Sequence, residues 1–285
     1  MSQRSIGIDL RGDTLRIATT RVESGRIIVD NLEQVPLPYP DEQAWADGAC
    51  VTLSVPESQV MVKAVRIGPR GTVPLSDRLR FELVQSLLES ETLFHMDTVA
   101  TASPDRYLGT IFRREHLKEL TERVGLAALA ESPRLSVQLR SVALGRGYLA
   151  FCSAQDGGLV VLVDLAADAA SICFVYERQI ADVASLAMSN YDLTDESGRR
   201  RFGVDLKTIM NYKQSTLREA GISVPPSALY LSGEPFGTAV SSAIQFYFSI
   251  EVVSPPMIDA YFVGLDQVAR DALPDYLVAL GLTVN

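Results

Sequence analysis

The sequence predicts an α/β protein of two lobes, each opening on a β-hairpin whose first strand ends at an aspartate. Three observations carry this. Ile6-Gly7-Ile8-Asp9 runs into the turn Leu10-Arg11-Gly12-Asp13 and returns over residues 14–20. Leu159-Val160-Val161-Leu162-Val163-Asp164 does the same through Leu165-Ala166-Ala167-Asp168 and returns over 170–176. Each unit turns again into a third strand, at 27–32 and from 179, so one plan recurs about 155 residues apart. The third observation is bulk: 285 residues with 47% hydrophobic and 21% charged side chains. Such a chain buries a large core without disulfides or a structural metal.

The elements follow in order. Gly12 and Gly25 supply the turns of an N-terminal meander. Three prolines mark 36–48 as a connection. Residues 51–55 and 61–67 read as strands. Leu79, Leu83, Leu87 and Leu88 line one face of a helix over 76–91, with Ser76-Asp77 as cap. Residues 107–112 form a strand, 115–125 an amphipathic helix stopped by Gly125, and 137–149 another helix. In the second half, 204–213 and 238–248 are helical by spacing. Residues 228–233 and 250–253 are strands, and 275–282 is a terminal apolar helix. The first lobe spans 1–155, with an inserted α+β subdomain at about 51–150. The second spans 156–285, its C-terminal helix returning toward the first.

Several function classes are excluded. A net charge of −9 makes a poor partner for nucleic acid or anionic lipid. Arg199-Arg200-Arg201 is a short basic run and reads as a solvated loop. The three cysteines contain no C-x-x-C pair and there are two histidines, so a zinc site is not expected. Cys152 and Cys173 lie in apolar runs as small buried hydrophobes. His116 reads as a solvated helix residue. The first residues form a strand with no apolar leader. The apolar stretch 159–176 carries Asp164 and Asp168, each costing roughly 2.5–3.5 kcal/mol in a membrane helix, so it reads as two strands.

Two facing hairpins can hold a polyphosphate between their turns. Backbone N–H groups cradle the phosphates and the strand-end acids, Asp9 and Asp164, hold Mg²⁺. Ile6 to Asp13 resembles the first phosphate motif of the actin/Hsp70-like (ribonuclease H-like) proteins, and Val161 to Asp168 the second. Leu229-Tyr230-Leu231-Ser232-Gly233-Glu234 resembles the adenosine motif. Val55-Pro56-Glu57-Ser58, Leu79-Arg80-Phe81-Glu82-Leu83, and Phe202-Gly203-Val204-Asp205-Leu206 through Lys213 follow in the order of the PilM-like family of type IV pilus assembly proteins. The related FtsA family is next in similarity.

The resemblance implies an ATP/Mg site built from Asp9, Arg11, Gly12, Asp13, Asp164, Ala166, Asp168, Gly233 and Glu234, with Asp9 and Asp164 on the metal. It also implies a cytoplasmic scaffold, peripheral to the inner membrane, that docks the N-terminal peptide of a bitopic assembly protein. The departures point away from ATP. Arg11 and Ala166 stand where the family carries glycine, Asp13 and Asp168 add negative charge near the phosphates, and Glu234 replaces a second glycine. The expected nucleotide site is therefore degenerate and the protein not an enzyme. The alternative is an ATP-dependent small-molecule kinase of the same fold. The FtsA family ends in a basic amphipathic helix; this chain ends without basic residues, so direct membrane tethering is not expected. Self-association and the choice between pilus and type II secretion stay open.

Overall fold

The computed structural model of the chain describes residues 4–37, 48–68, 72–153, 158–233 and 237–284. Most of the connection read at 36–48, and Glu234, lie outside them. Two five-stranded sheets share one strand order. The first is β3-β2-β1-β4-β8, with β1 (Arg4–Arg11), β2 (Thr14–Glu23), β3 (Arg26–Pro36), β4 (Cys50–Val55) and β8 (Leu135–Leu139). The second is β11-β10-β9-β12-β13, with β9 (Leu159–Leu165), β10 (Ala169–Tyr176), β11 (Gln179–Ala187), β12 (Pro226–Gly233) and β13 (Val252–Val253). In each, three antiparallel strands are extended by parallel ones.

The turns obey local chemistry. Gly12 has φ +58°, and Ser24 and Gly25 have +52° and +76°, which sharp β-hairpin turns require. Glu177 and Arg178 do the same job at +48° and +59° without glycine.

Every residue of β9 is buried because the second sheet is covered on both faces. Val160 and Leu162 face Val142, Leu144 and Tyr148 of α3 (Arg140–Phe151). Val161 and Val163 face Phe202, Leu206 and Met210 of α4 (Glu196–Glu219). Each such side chain contributes about 1.5–3 kcal/mol by burial. In the first sheet Ile6, Ile8 and Leu10 pack on Leu117 and Leu120 of α2 (Arg114–Arg123). Its other face receives α7 (Leu277–Leu282), which also lies against α3. Glycines permit this approach. A Cβ on Gly281 would sit 1.8 Å from the Ala143 carbonyl oxygen, one on Gly147 2.2 Å from that of Leu277, and one on Gly7 2.0 Å from that of Ala279.

A third, three-stranded sheet, β5-β7-β6, is made of β5 (Val60–Arg66), β6 (Phe94–Ala100) and β7 (Arg106–Arg113), with α1 (Leu75–Val84) on it. It joins the second five-stranded sheet through Arg106, which donates to Asp182 Oδ2 of β11 at 2.7 Å.

Several sequence expectations change. The helix read over 76–91 stops at Val84, because Lys63 donates to the Glu82 carbonyl at 2.9 Å and to Ser86 at 2.7 Å, turning the chain away. Residues 137–139 are strand, since Val137 and Leu139 pair with Leu53 and Val55 of β4; the helix begins at Arg140. The helix read at 204–213 is the middle of α4, whose cap Asp195 accepts from Ser197 and Gly198 N–H groups. The Arg199-Arg200-Arg201 run is therefore helical, with Arg199 bonded to the Leu193 and Thr194 carbonyls. The helix read over 238–248 is α5 (Gly237–Gln245), and β6 went unread. His116 is half-buried with its ring edge on Phe112. Both inner cysteines are buried, and burial pushes the Cys152 thiol up to about 12. Among the described residues no helix is long and apolar enough to cross a membrane.

Candidate functional site: a cleft bridged by two arginines

Each aspartate sits near the C-terminal end of its central strand, which runs on to Arg11 in β1 and to Leu165 in β9, beside a serine of the neighbouring parallel strand. Ser54 of β4 donates to Asp9 Oδ1 at 2.7 Å, and Ser232 of β12 donates to Asp164 Oδ1 at 3.0 Å. The shared strand order thus places two equivalent carboxylates face to face, both 0% exposed.

Arg11 spans the gap between them. Its Nε donates to Asp9 Oδ2 at 2.6 Å, its Nη2 to Asp164 Oδ2 at 2.6 Å, and its Nη1 to the Leu165 carbonyl at 2.7 Å. Arg140, the first residue of α3 and 1% exposed, closes the other side. It donates to Asp9 Oδ1 at 3.2 Å, to Asp168 Oδ1 at 2.9 Å and to the Leu10 carbonyl. All four carboxylate oxygens of the aspartate pair accept a hydrogen bond from the chain itself. Charge-assisted bonds of this kind are the strong ones, and the planar guanidinium fork suits two carboxylates at once.

The electrostatics follow from the geometry. Burial alone would raise the Asp9 carboxyl; the Arg11 and Arg140 guanidiniums overcome it and hold the group below the usual carboxylate range. Burial and the charge of Asp9 push Asp164 up, against Arg11. Burial opposes the charge of Arg11, and Asp164 and Asp9 restore it, so its pKa rises.

Glu57 adds a second bridge. Its carboxylate accepts from the Ser141 N–H at 2.8 Å, capping α3, and from Ser171 Oγ of β10 at 3.0 Å. Burial pushes this carboxyl up more than Arg140 and these bonds pull it down. A carboxyl raised in the folded state binds its proton more tightly there. Stability therefore falls as pH rises from the ordinary glutamate value, about 4.3, through the folded value. Glu57→Gln is expected to raise the thermal midpoint at neutral pH, with the gain vanishing below about pH 4. A pH series of melting curves checks this; a pH-independent loss would show that Glu57 acts only as a cap.

The candidate residues read from sequence divide clearly. Asp9, Arg11 and Asp164 come together at the centre, and Asp168 joins through Arg140. Gly12 and Asp13 lie at the exposed hairpin tip, the Asp13 side chain 99% exposed and 3.5 Å from Arg123. Ala166 is buried. Gly233, at φ +103°, passes so close to Leu165 that a Cβ would meet its carbonyl oxygen at 2.1 Å. Lys213 of α4 donates to Asp182 at 2.9 Å. Arg140, Ser54 and Ser232 were not read as site residues. The serines carry no local sequence signal, because each meets its aspartate only through the sheet, 45 and 68 positions away; Arg140 lies inside the stretch expected to be helix interior. Among the described residues, no group of three or more His, Cys, Asp or Glu side chains forms a metal-ligand set.

A second feature lies away from the cleft. β8 is the outer strand of the first sheet and β6 of the three-stranded one. Between them runs a cavity of about 170 Å³ lined by Val60, Val99, Phe112, Val137, Leu139 and Val142, among others. His95 and Met96 lead from it into a larger hollow of about 570 Å³ between β6 and α1.

No protein-family model and no curated protein matches the sequence. Solved structures match in shape. A chain of the PilM-PilN type IV pilus biogenesis complex superposes with a TM-score of 0.66 at 13% identity, over 98% of this chain and 97% of that one. A Bacteroides thetaiotaomicron protein with actin-like ATPase fold and unknown function gives 0.50 at 9% identity, over 95% of each chain. The chain has the actin-like fold that its two aspartate hairpins predicted, and it is similar along its whole length to the fold found in the PilM-PilN complex.

Proposed function

We propose that the chain is a docking scaffold of a type IV pilus or related secretion machine. It receives the N-terminal tail of a bitopic inner-membrane protein on the cytoplasmic side, and its nucleotide cleft is closed. The observation that carries this reading is the groove between β6 and β8. Two outer strands from different sheets face one channel with a largely apolar wall and His95, Asp97, Thr110 and Gln138 on its rim, and an extended peptide can add to such an edge while its side chains enter the pockets. The likeness to a chain of the PilM-PilN complex supports the choice of partner class. The arginine bridges support the closed cleft. A kinase would need both aspartates available for Mg²⁺, and here their oxygens are engaged by Arg11, Arg140, Ser54 and Ser232.

Calorimetry with N-terminal tail peptides of bitopic inner-membrane assembly proteins tests the reading. Wild type is expected to bind. Val137→Arg, which puts a charge in the groove wall, is expected to weaken binding at least about tenfold, or ~1.4 kcal/mol, in a chain whose melting curve still shows a cooperative transition. No peptide binding by wild type, together with phosphate transfer from ATP to a small molecule, overturns the scaffold reading.

A further inference from the structure

We propose that Arg11 is a built-in cation: its guanidinium occupies the place between Asp9 and Asp164 that a divalent metal would take, so the chain closes its own cleft and a latent metal site lies beneath that side chain. The inference rests on the reading of the cleft as closed, but not on the docking groove.

The residues present do not fit a metal while Arg11 is in place. Asp9 Oδ2 and Asp164 Oδ2 each lie 2.6 Å from a guanidinium nitrogen. A cation between them would need those same two oxygens. A positive charge at the same point would also repel the guanidinium, which three buried hydrogen bonds hold in place.

The donor set under Arg11 is nonetheless one that a hard cation takes. The guanidinium touches two carboxylate oxygens and one backbone carbonyl, that of Leu165. All three are oxygen ligands converging on one side chain, and water can complete the shell around Mg²⁺ or Mn²⁺. The position of Arg11 sharpens the point. It stands two residues after Asp9, and the equivalent residue after Asp164 is Ala166, so only one hairpin carries the cation. The formal charge it supplies is +1, where a divalent metal would supply +2. Arg140, bonded to the other oxygen of Asp9, makes up the difference.

Two variants test this, with Mn²⁺ as the probe, read by its electron paramagnetic resonance signal and by thermal melting of the full chain. Wild type is expected to ignore millimolar Mn²⁺ in both. Arg11→Ala is expected to melt earlier, to bind Mn²⁺ with one ion per chain, and to regain stability with it. At an Mn²⁺ concentration about 100 times the dissociation constant, the folding equilibrium shifts about 100-fold. Asp164→Asn in the same background is expected to abolish binding. Arg11→Lys keeps a positive charge and is expected to fold and stay blind to Mn²⁺. Wild-type Mn²⁺ binding that is lost in Asp164→Asn overturns the proposal. So does an Arg11→Ala chain that ignores Mn²⁺, folded or unfolded, while Arg11→Lys is folded. Neither result touches peptide binding in the groove, and a wild type that binds Mg-ATP would instead sink the closed-cleft reading itself.

Discussion

Arg140→Met is expected to cost about 3–5 kcal/mol of unfolding free energy at neutral pH, because removing one partner of a buried charge cluster strands the other. The guanidinium holds three acceptors at once: Asp9, Asp168 and the carbonyl of Leu10. Methionine fills much of the volume and satisfies none of them. Asp9 keeps Arg11 and Ser54 but loses one of its two guanidinium partners, and a buried carbonyl is left without its donor. Asp168 matters least, being partly exposed.

The pH dependence gives the sign independently. Asp9 is held below the ordinary carboxylate range, so its contribution is present above the unfolded value, about 3.9, and is lost as pH falls through the folded one. The gap between wild type and Arg140→Met is therefore widest near neutral pH and narrows on acidification below about pH 4. Urea titrations across that range measure it. A loss below about 1 kcal/mol, constant with pH, would mean the cluster is held by packing and not by charge. Arg140→Lys is expected to recover only part of the loss, since three acceptors met by three separate guanidinium nitrogens do not converge on one compact ammonium.

Gly281→Val is expected to be as damaging for a purely steric reason. α7 lies against α3 and β1 at backbone distance, and the first side-chain atom at Gly281 would overlap the Ala143 carbonyl and the Gly147 nitrogen. The obstacles are backbone, so no rotamer change relieves them. Overpacking typically costs about 1–3 kcal/mol and more where backbone must move. Here a shift of α7 would also uncover Leu277, Val278 and Leu280, which are 0% exposed. Gly12→Asn is the matched control, because Gly12 has φ +58° and open space around it, and asparagine tolerates that conformation. Its expected change is within about 0.5 kcal/mol. Denaturation midpoints and limited proteolysis of the C-terminal segment distinguish the two.

The sequence was readable where its signals are local. Apolar strands ending in aspartate, followed by short turns, placed both central hairpins with their third strands, and the fold class followed. The amphipathic period found α2 because Leu117, Leu120 and Val124 repeat on one face. What stayed hidden depends on distant partners. Nothing near Glu82 says that Lys63 will take its carbonyl and end α1 early. Val137 and Leu139 fit a helix face as well as a strand, and only pairing with β4 decides. The glycines at 7, 147 and 281 carry no turn signal, since their role is contact across the core.

At the cleft, residue type suggested the destination of Arg11 but not its partners. A side chain two positions beyond Asp9 was read as a ligand for phosphate. Besides Asp9, its acceptors lie 153 and 154 positions away, on β9. Arg140 was invisible as a site residue for the same reason.

The matching strand orders of the two halves have one more consequence, at Arg11. The two sheets set Asp9 and Asp164 across one gap that a single side chain bridges. One guanidinium fits there, and two would repel. The halves can therefore be alike in backbone but not in this residue: one must be the plug and the other the socket. Arg11 and Ala166 are that pair. Exchanging them, as Ala at 11 and Arg at 166, would ask the same plug to enter from the opposite side. The small residue now packed at 166 and fully buried shows that no room for it has been left there.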